Sequence, residues 1–159
     1  MRTKLSLLVL VIEALGAIAL AGATNASGQP APQAISDQRA RVMKIRIDIE
    51  GATIIGILED NATARDFALL LPLTVMLEDF NGTEKITYLP RKLSTEGAPA
   101  GFDPSVGDIS YYAPWGNLAV FYRDFRYSSG LIKLGAIESG GAALNRPGSM
   151  RATIELVED

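Results

Sequence analysis

Met43-Lys44-Ile45-Arg46-Ile47-Asp48-Ile49-Glu50 alternates apolar and charged residues, and Gly51-Ala52-Thr53-Ile54-Ile55-Gly56-Ile57-Leu58-Glu59 follows it directly. A period of two is the mark of a half-buried β-strand, because successive side chains leave the backbone on opposite faces. Ile45, Ile47 and Ile49 therefore share one face. Gly51-Ala52 has the composition of a two-residue hairpin turn with glycine first. Ile55 and Ile57 continue a partner strand that ends near Glu59. The chain thus begins its folded part with an antiparallel hairpin.

The same reading runs outward. Asn61 or Thr63 is placed to cap a helix, Asp66 falls in its first turn, and Phe67, Leu70 and Leu71 form its apolar stripe. Pro72 ends it. Strands resume with Val75 and Leu77, turn at Asn81-Gly82 and return through Ile86 and Tyr88. Residues 90–106 form a long loop rich in Gly, Pro and charge, of the kind that tends to carry function. A short strand is expected over 109–112, then a turn at Pro114-Trp115-Gly116-Asn117. Residues 118–122 are continuously apolar, which suits a strand covered on both faces. Residues 131–138 and 151–157 complete the set, with a helical turn at 142–144 between them. This makes about eight short strands without strand–helix alternation. A mainly β fold results, a closed eight-stranded barrel with one or two short helices.

The ends of the chain read differently. Arg2 and Lys4 precede an apolar run over 5–20, broken by Glu13, and Ala21-Gly22-Ala23 supplies a small-residue cleavage site. This is the pattern of a secretory signal peptide over 1–23. The alternative is a retained anchor, but the run is shorter than the about 20 residues of a spanning helix. Residues 24–42, small and polar with Pro30 and Pro32, read as a flexible linker, and 43–158 as the domain. The expected location is periplasmic or secreted, with membrane contact only in transit.

Composition removes several functions. The 159 residues contain no Cys and no His, so there is no disulfide, no thiolate nucleophile, no Ser-His-Asp triad and no Cys or His metal site. A formal net charge of −3 lacks the basic face that nucleic acid requires. No phosphate loop is present. Glu59-Asp60 and Glu78-Asp79 are acidic doublets at strand ends and read as solvated turns rather than a calcium loop. No cofactor is expected.

Several segments resemble a known family. Asn61-Ala62-Thr63-Ala64-Arg65-Asp66-Phe67 resembles the first helix of cyclophilins. Asn117-Leu118-Ala119-Val120-Phe121-Tyr122 has the spacing of the cyclophilin segment Asn-Gly-Ser-Gln-Phe-Phe, and Leu134-Gly135-Ala136-Ile137 resembles its Phe-Gly-Lys-Val strand. The closer resemblance is to bacterial cyclophilin-like fold proteins. It rests on Leu58-Glu59-Asp60-Asn61, the run from Phe67 to Leu73, Tyr88-Leu89-Pro90-Arg91-Lys92-Leu93, Gly107-Asp108 and Pro114-Trp115-Gly116-Asn117. It implies an eight-stranded barrel with a helix closing each end, the second near Ala142. Some members of that family adjoin flavodoxin-like domains, which implies a possible redox partner of that kind.

The departures from cyclophilins bear on activity. Thr87 stands at the catalytic Arg position, Val120 at that of a Gln, and Tyr122 at that of a pocket Phe. Leu131 replaces a His, and the pocket Trp position falls near Arg126 or Tyr127. The implied function is therefore a groove that binds a peptide or small ligand, with prolyl isomerisation as the alternative if Arg91, Arg123 or Arg126 reaches its mouth. The candidate groove comprises Tyr88, Arg91, Trp115, Phe121, Tyr122, Arg123, Arg126 and Tyr127. Against this, Trp115 also reads as a cap on the barrel, Phe121 and Tyr122 as core, and Arg123 and Arg126 as surface ion-pair partners.

Overall fold

The computed structural model describes residues 42–157; the stretches expected to be a signal peptide (1–23) and, but for residue 42, a linker (24–42) lie outside the described residues. Eight antiparallel strands close a barrel in the order β1-β10-β3-β4-β7-β6-β9-β2. In chain order these are β1 (Met43–Ile49), β2 (Ala52–Leu58), β3 (Leu73–Phe80), β4 (Glu84–Tyr88), β6 (Asp108–Tyr112), β7 (Asn117–Phe121), β9 (Leu131–Ser139) and β10 (Met150–Leu156). Two further short strands, β5 (Gly101–Phe102) and β8 (Ser128–Ser129), pair with each other outside the barrel. The barrel architecture expected from the period-two pattern is present.

The first hairpin turns one residue earlier than expected. Its two central residues are Glu50 and Gly51, both at positive φ (30° and 85°), as a type I′ turn requires. Ile49 therefore pairs with Ala52 and Ile47 with Ile54. The register moves by two residues, so the face of β2 is the same with either turn: its even-numbered residues lie opposite Ile45, Ile47 and Ile49. Ile54 and Leu58 join Ile45, Ile47 and Ile49 in the core, whereas Ile55 and Ile57 are only half-buried and turn outward.

The helix is also shorter than expected. Helix α1 spans Ala62–Ala68 with Leu69 as its C-cap, so it stops before Pro72, and Asp66 sits beyond its first turn. Its buried side is Thr63, Ala64, Phe67 and Ala68. Asn61 is the N-cap, its Oδ1 accepting from Ala64 N–H at 2.8 Å, while its Nδ2 donates to Lys133 O at 3.0 Å. Asn61→Ala removes both bonds and is expected to cost about 1 kcal/mol, read as a lower midpoint in urea. At the position of the second helix stands a 3-10 helix, Gly141–Asn145, which contributes the buried Leu144.

Two apolar clusters share the strands. The inner one fills the barrel and is closed by Ala64, Phe67 and Leu144. The outer one consists of Ile86, Ala119, Phe121 and Leu131, with Phe80, Phe102, Tyr112 and Phe125 packed on it. Strand β7 lies between them. Leu118 and Val120 face in, Ala119 and Phe121 face out, and all five of its residues are buried. The continuous apolar run over 118–121 has this double cover as its cause.

Neither long loop is free-standing. Residues 89–107 and 122–130 are joined by the β5–β8 pair, by Phe125 N–H to Pro104 O (2.9 Å) and Gly130 N–H to Ala100 O (2.7 Å), and by Val106 N–H to Asp124 Oδ1 (2.8 Å). The start of the first loop is fixed by Leu93, buried and donating its N–H to the hydroxyl of Tyr111 at 3.1 Å.

Candidate functional site

On the outside of the barrel, β4 and β7 present alternate residues. Glu84 pairs with Phe121, Ile86 with Ala119 and Tyr88 with Asn117. The outward members of this ladder floor a cleft of about 160 Å³. Phe80 at the end of β3, Tyr112 of β6 and Phe125 of the 122–130 loop wall it, and Trp115 lines its rim. Trp115 is half-exposed (50%). It meets Phe80 edge-on (centroids 5.6 Å, 90°) and Tyr112 in the same way (5.4 Å, 79°). Such T-shaped contacts fix ring orientation, so Trp115 serves at once as a lid on the outer cluster and as a cleft wall.

The inward residues of the same ladder take no part. Thr87 pairs with Leu118 and Lys85 with Val120, and all four are buried. The positions matched by letter to the cyclophilin Arg and Gln, Thr87 and Val120, thus belong to the opposite face from the cleft. One residue along a strand reverses the face.

The candidate groove residues separate into three places. Trp115 and Phe121 line the cleft together. Tyr122 lines a second, open depression of about 400 Å³ with Val106, Ile137 and Ala142, and Phe121 borders this one as well. Its hydroxyl is committed, donating to Asp79 Oδ1 at 2.6 Å. Arg91 is also committed, gripping both oxygens of Asp66 (2.6 and 2.9 Å), while Asp66 Oδ2 accepts Ser94 N–H at 2.7 Å. The Arg91 guanidinium holds the Asp66 carboxyl below the usual range. Tyr88, Arg123, Arg126 and Tyr127 are exposed, and Arg126 lies 5.2 Å from the ring centroid of Phe125. None of the four lines the cleft, and neither does Arg91.

Two charged residues that the sequence reading left out stand next to each other on β4 and face opposite ways. Lys85 is fully buried. Its Nζ donates to Arg146 O (2.7 Å) and Gly148 O (3.0 Å) and pairs with Asp79 Oδ1 at 3.3 Å. It also lies 5.6 Å from the centroid of the Tyr122 ring. Asp79 is exposed near the end of β3, in keeping with the sequence reading, yet it also takes part in this cluster. It collects the Tyr122 hydroxyl and the Lys85 ammonium, which together hold its carboxyl low. Glu84 is the second. It is half-buried in the cleft, and burial pushes its carboxyl up.

Partial burial and the Asp79 carboxylate together raise the Tyr122 phenol to about 12. A raised acid keeps its proton longer when folded, so this contribution to stability is complete below the ordinary phenol value of about 10. It is lost as pH rises from there through the folded value. In an ultraviolet titration, Tyr122 is expected to contribute a late step that Tyr122→Phe removes.

A family model described as the cyclophilin-like family matches residues 47–155. The chain belongs to this cyclophilin-like family. The solution structure of the hypothetical protein AF2241 from Archaeoglobus fulgidus is similar to it, with a TM-score of 0.55 and 20% sequence identity. The match covers 76% of this chain and 99% of that one. At that identity the likeness concerns the fold. No curated protein matches. The barrel of this cyclophilin-like chain differs from the expectation by family resemblance in one respect. The cleft lies on the Glu84–Ile86 and Asn117–Phe121 face, with neighbours from β3, β6 and the 122–130 loop that no letter-by-letter match points to.

Proposed function

We propose that this protein is an exported cyclophilin-like domain that binds a peptide side chain in the aromatic cleft beside β4 and β7, without catalysing prolyl isomerisation. The observation that carries the reading is the cleft itself. At about 160 Å³ it falls below the ~300–1,000 Å³ of a drug-sized or cofactor pocket. It compares with an apolar cavity of roughly 150 Å³ that holds one benzene. One side chain or ring fits.

Binding without catalysis follows from the lining. Isomerisation has a barrier of about 18–20 kcal/mol, and the resemblance attributes its lowering to an Arg donor at the prolyl nitrogen. The polar side chains of this cleft come from Asn81, Glu84, Tyr112, Asn117 and Ser128, and no guanidinium is among them. The export reading is supported by the basic, apolar and small-residue order of residues 1–23.

Trp115 is the single tryptophan of the sequence, so its fluorescence reports on the cleft without interference. Titration with capped tripeptides of varied central residue is expected to shift its emission saturably. Trp115→Ala, followed by calorimetry because it removes the fluorophore, is expected to weaken the best peptide at least tenfold. Exchange spectroscopy on an Ala-Pro peptide is expected to retain the uncatalysed time constant of tens of seconds or more. Absence of any saturable shift, across the series at millimolar peptide, would remove the reading.

A further inference from the structure

We propose that the cleft selects a primary ammonium at the end of an aliphatic stem, as on a lysine side chain of a partner peptide, with Glu84 as its counter-ion. This rests on the reading above, that the cleft takes one peptide side chain, and names which kind.

Glu84 is a carboxylate without a cation. Among the described residues its side chain accepts one hydrogen bond, from the Thr83 hydroxyl at 2.8 Å, and it takes part in none of the ion pairs formed there. The adjacent Lys85 points to the opposite face and is occupied by Asp79 and two carbonyls. A half-buried, uncompensated carboxylate is costly, and a cation entering the cleft relieves that cost. The raised Glu84 carboxyl is the same cost seen as a proton affinity.

The opposite end of the cleft also lacks a donor. Asn117 is 2% exposed. Its Nδ2 donates to Leu118 O at 3.2 Å, which fixes Oδ1 as the acceptor, and Oδ1 has no partner. Buried acceptors of this kind are rare in folded proteins; Oδ1 is closed off from the cleft and accepts from a ligand once the floor yields to admit it. Glu84 and Asn117 share the outward face of the β4–β7 ladder, because Glu84 pairs with Phe121 and Tyr88 with Asn117. Four residues of strand separate them, roughly 13 Å between backbones, less the reach of both side chains. A lysine residue carries a donor at each end of such a span, its backbone N–H and its ammonium. Its methylenes would lie over Ile86 and Phe121.

The walls suit the same head group. Aromatic faces attract a cation by about 0.5–2 kcal/mol, most strongly when it is desolvated. Phe80 pairs with Glu84 across β3 and β4, and Trp115 meets Phe80 edge-on. Other chemistries fit less well. A neutral apolar side chain leaves Glu84 and Asn117 Oδ1 unmatched. An anion meets a carboxylate. A guanidinium brings five donors to two acceptor groups.

The test is a Trp115 fluorescence titration of the full chain at neutral pH with three capped tripeptides, Ala-Lys-Ala, its ε-acetyl-lysine analogue and Ala-Leu-Ala. The lysine peptide is expected to bind at least tenfold tighter than either neutral one, with a preference that shrinks as salt rises. Glu84→Gln is expected to abolish that preference, and Glu84→Asp, which keeps the charge, to retain part of it. Equal binding of all three peptides, or a lysine preference that survives Glu84→Gln, overturns the proposal while leaving the cleft as a side-chain site. If no peptide binds, the reading of the cleft falls with it.

Discussion

Replacing Gly135 by alanine is expected to cost about 3 kcal/mol, the upper part of the range for overpacking a close-packed site. Gly135 sits in β9, paired with Leu58 on one side and Ile109 on the other. A Cβ at this position would overlap Ile57 O and lie 2.8 Å from Leu58 Cα. Both are backbone atoms of β2, so no side chain can rotate out of the way. The seam that must widen is β2–β9, one of the eight that close the barrel, and the inner core on both strands opens with it. Gly141→Ala is the matched control. A Cβ there meets only Ile137 side-chain atoms, at 3.4 and 3.5 Å, and the change is expected to stay within about 0.5 kcal/mol, as surface substitutions do. Urea denaturation of the two variants side by side measures the difference. Equal midpoints would mean that the β2–β9 seam yields without loss.

Lys85→Met should have an effect of the same size, again about 3 kcal/mol or roughly 10 °C in thermal midpoint. Methionine fills the stem volume but returns none of the ammonium's three contacts. The carbonyls of Arg146 and Gly148 lose their shared donor, and an unmatched buried polar group costs about 1–3 kcal/mol. Asp79 loses its cation but keeps the Tyr122 hydroxyl, and its side chain is 31% exposed, which places the total at the lower end for a broken buried pair. Asp79→Asn should therefore cost less than Lys85→Met, because water can reach the remaining group. A double-mutant cycle on the two separates the ion pair from the carbonyl clamp. If Lys85→Met changes stability by less than about 1 kcal/mol, residues 146–148 are not held to the barrel by this side chain.

Much of the fold can be read in the sequence because it is written locally. The alternation of Ile45, Ile47 and Ile49, the Asn81-Gly82 turn and the unbroken apolar run over 118–121 each report the environment of their own strand. What the sequence conceals is which face a strand presents. In β2 both Ile55 with Ile57 and Ile54 with Leu58 are spaced for an inward face, and the barrel buries the second set. The same parity governs the cleft. Matching letters placed Thr87 and Val120 at a groove, and parity turns both into the barrel. Phe121 was legible as a candidate through its spacing from Asn117 and Trp115 through its place in a turn, although each also reads as core or cap. Glu84 and Asn117 were not, since a charged or amide residue at a strand end ordinarily faces water. Lys85 has no local signal at all. Its partners are Asp79 and two carbonyls more than sixty residues further along the chain.

The ties between the 89–107 and 122–130 loops reach beyond rigidity. Phe125 and Ser128 of the cleft wall stand on a segment whose backbone is laced to residues 100–106. At the β5–β8 crossing a Cβ on Gly101 would lie 2.9 Å from Ser129 Cα. Two stretches that look like separate surface connections thus form one unit as far as insertions and deletions are concerned. Adding a residue to either displaces the partner's hydrogen bonds and with them a wall of the cleft. Grafting new specificity onto this scaffold therefore means exchanging both loops as a matched pair, with their lengths conserved together.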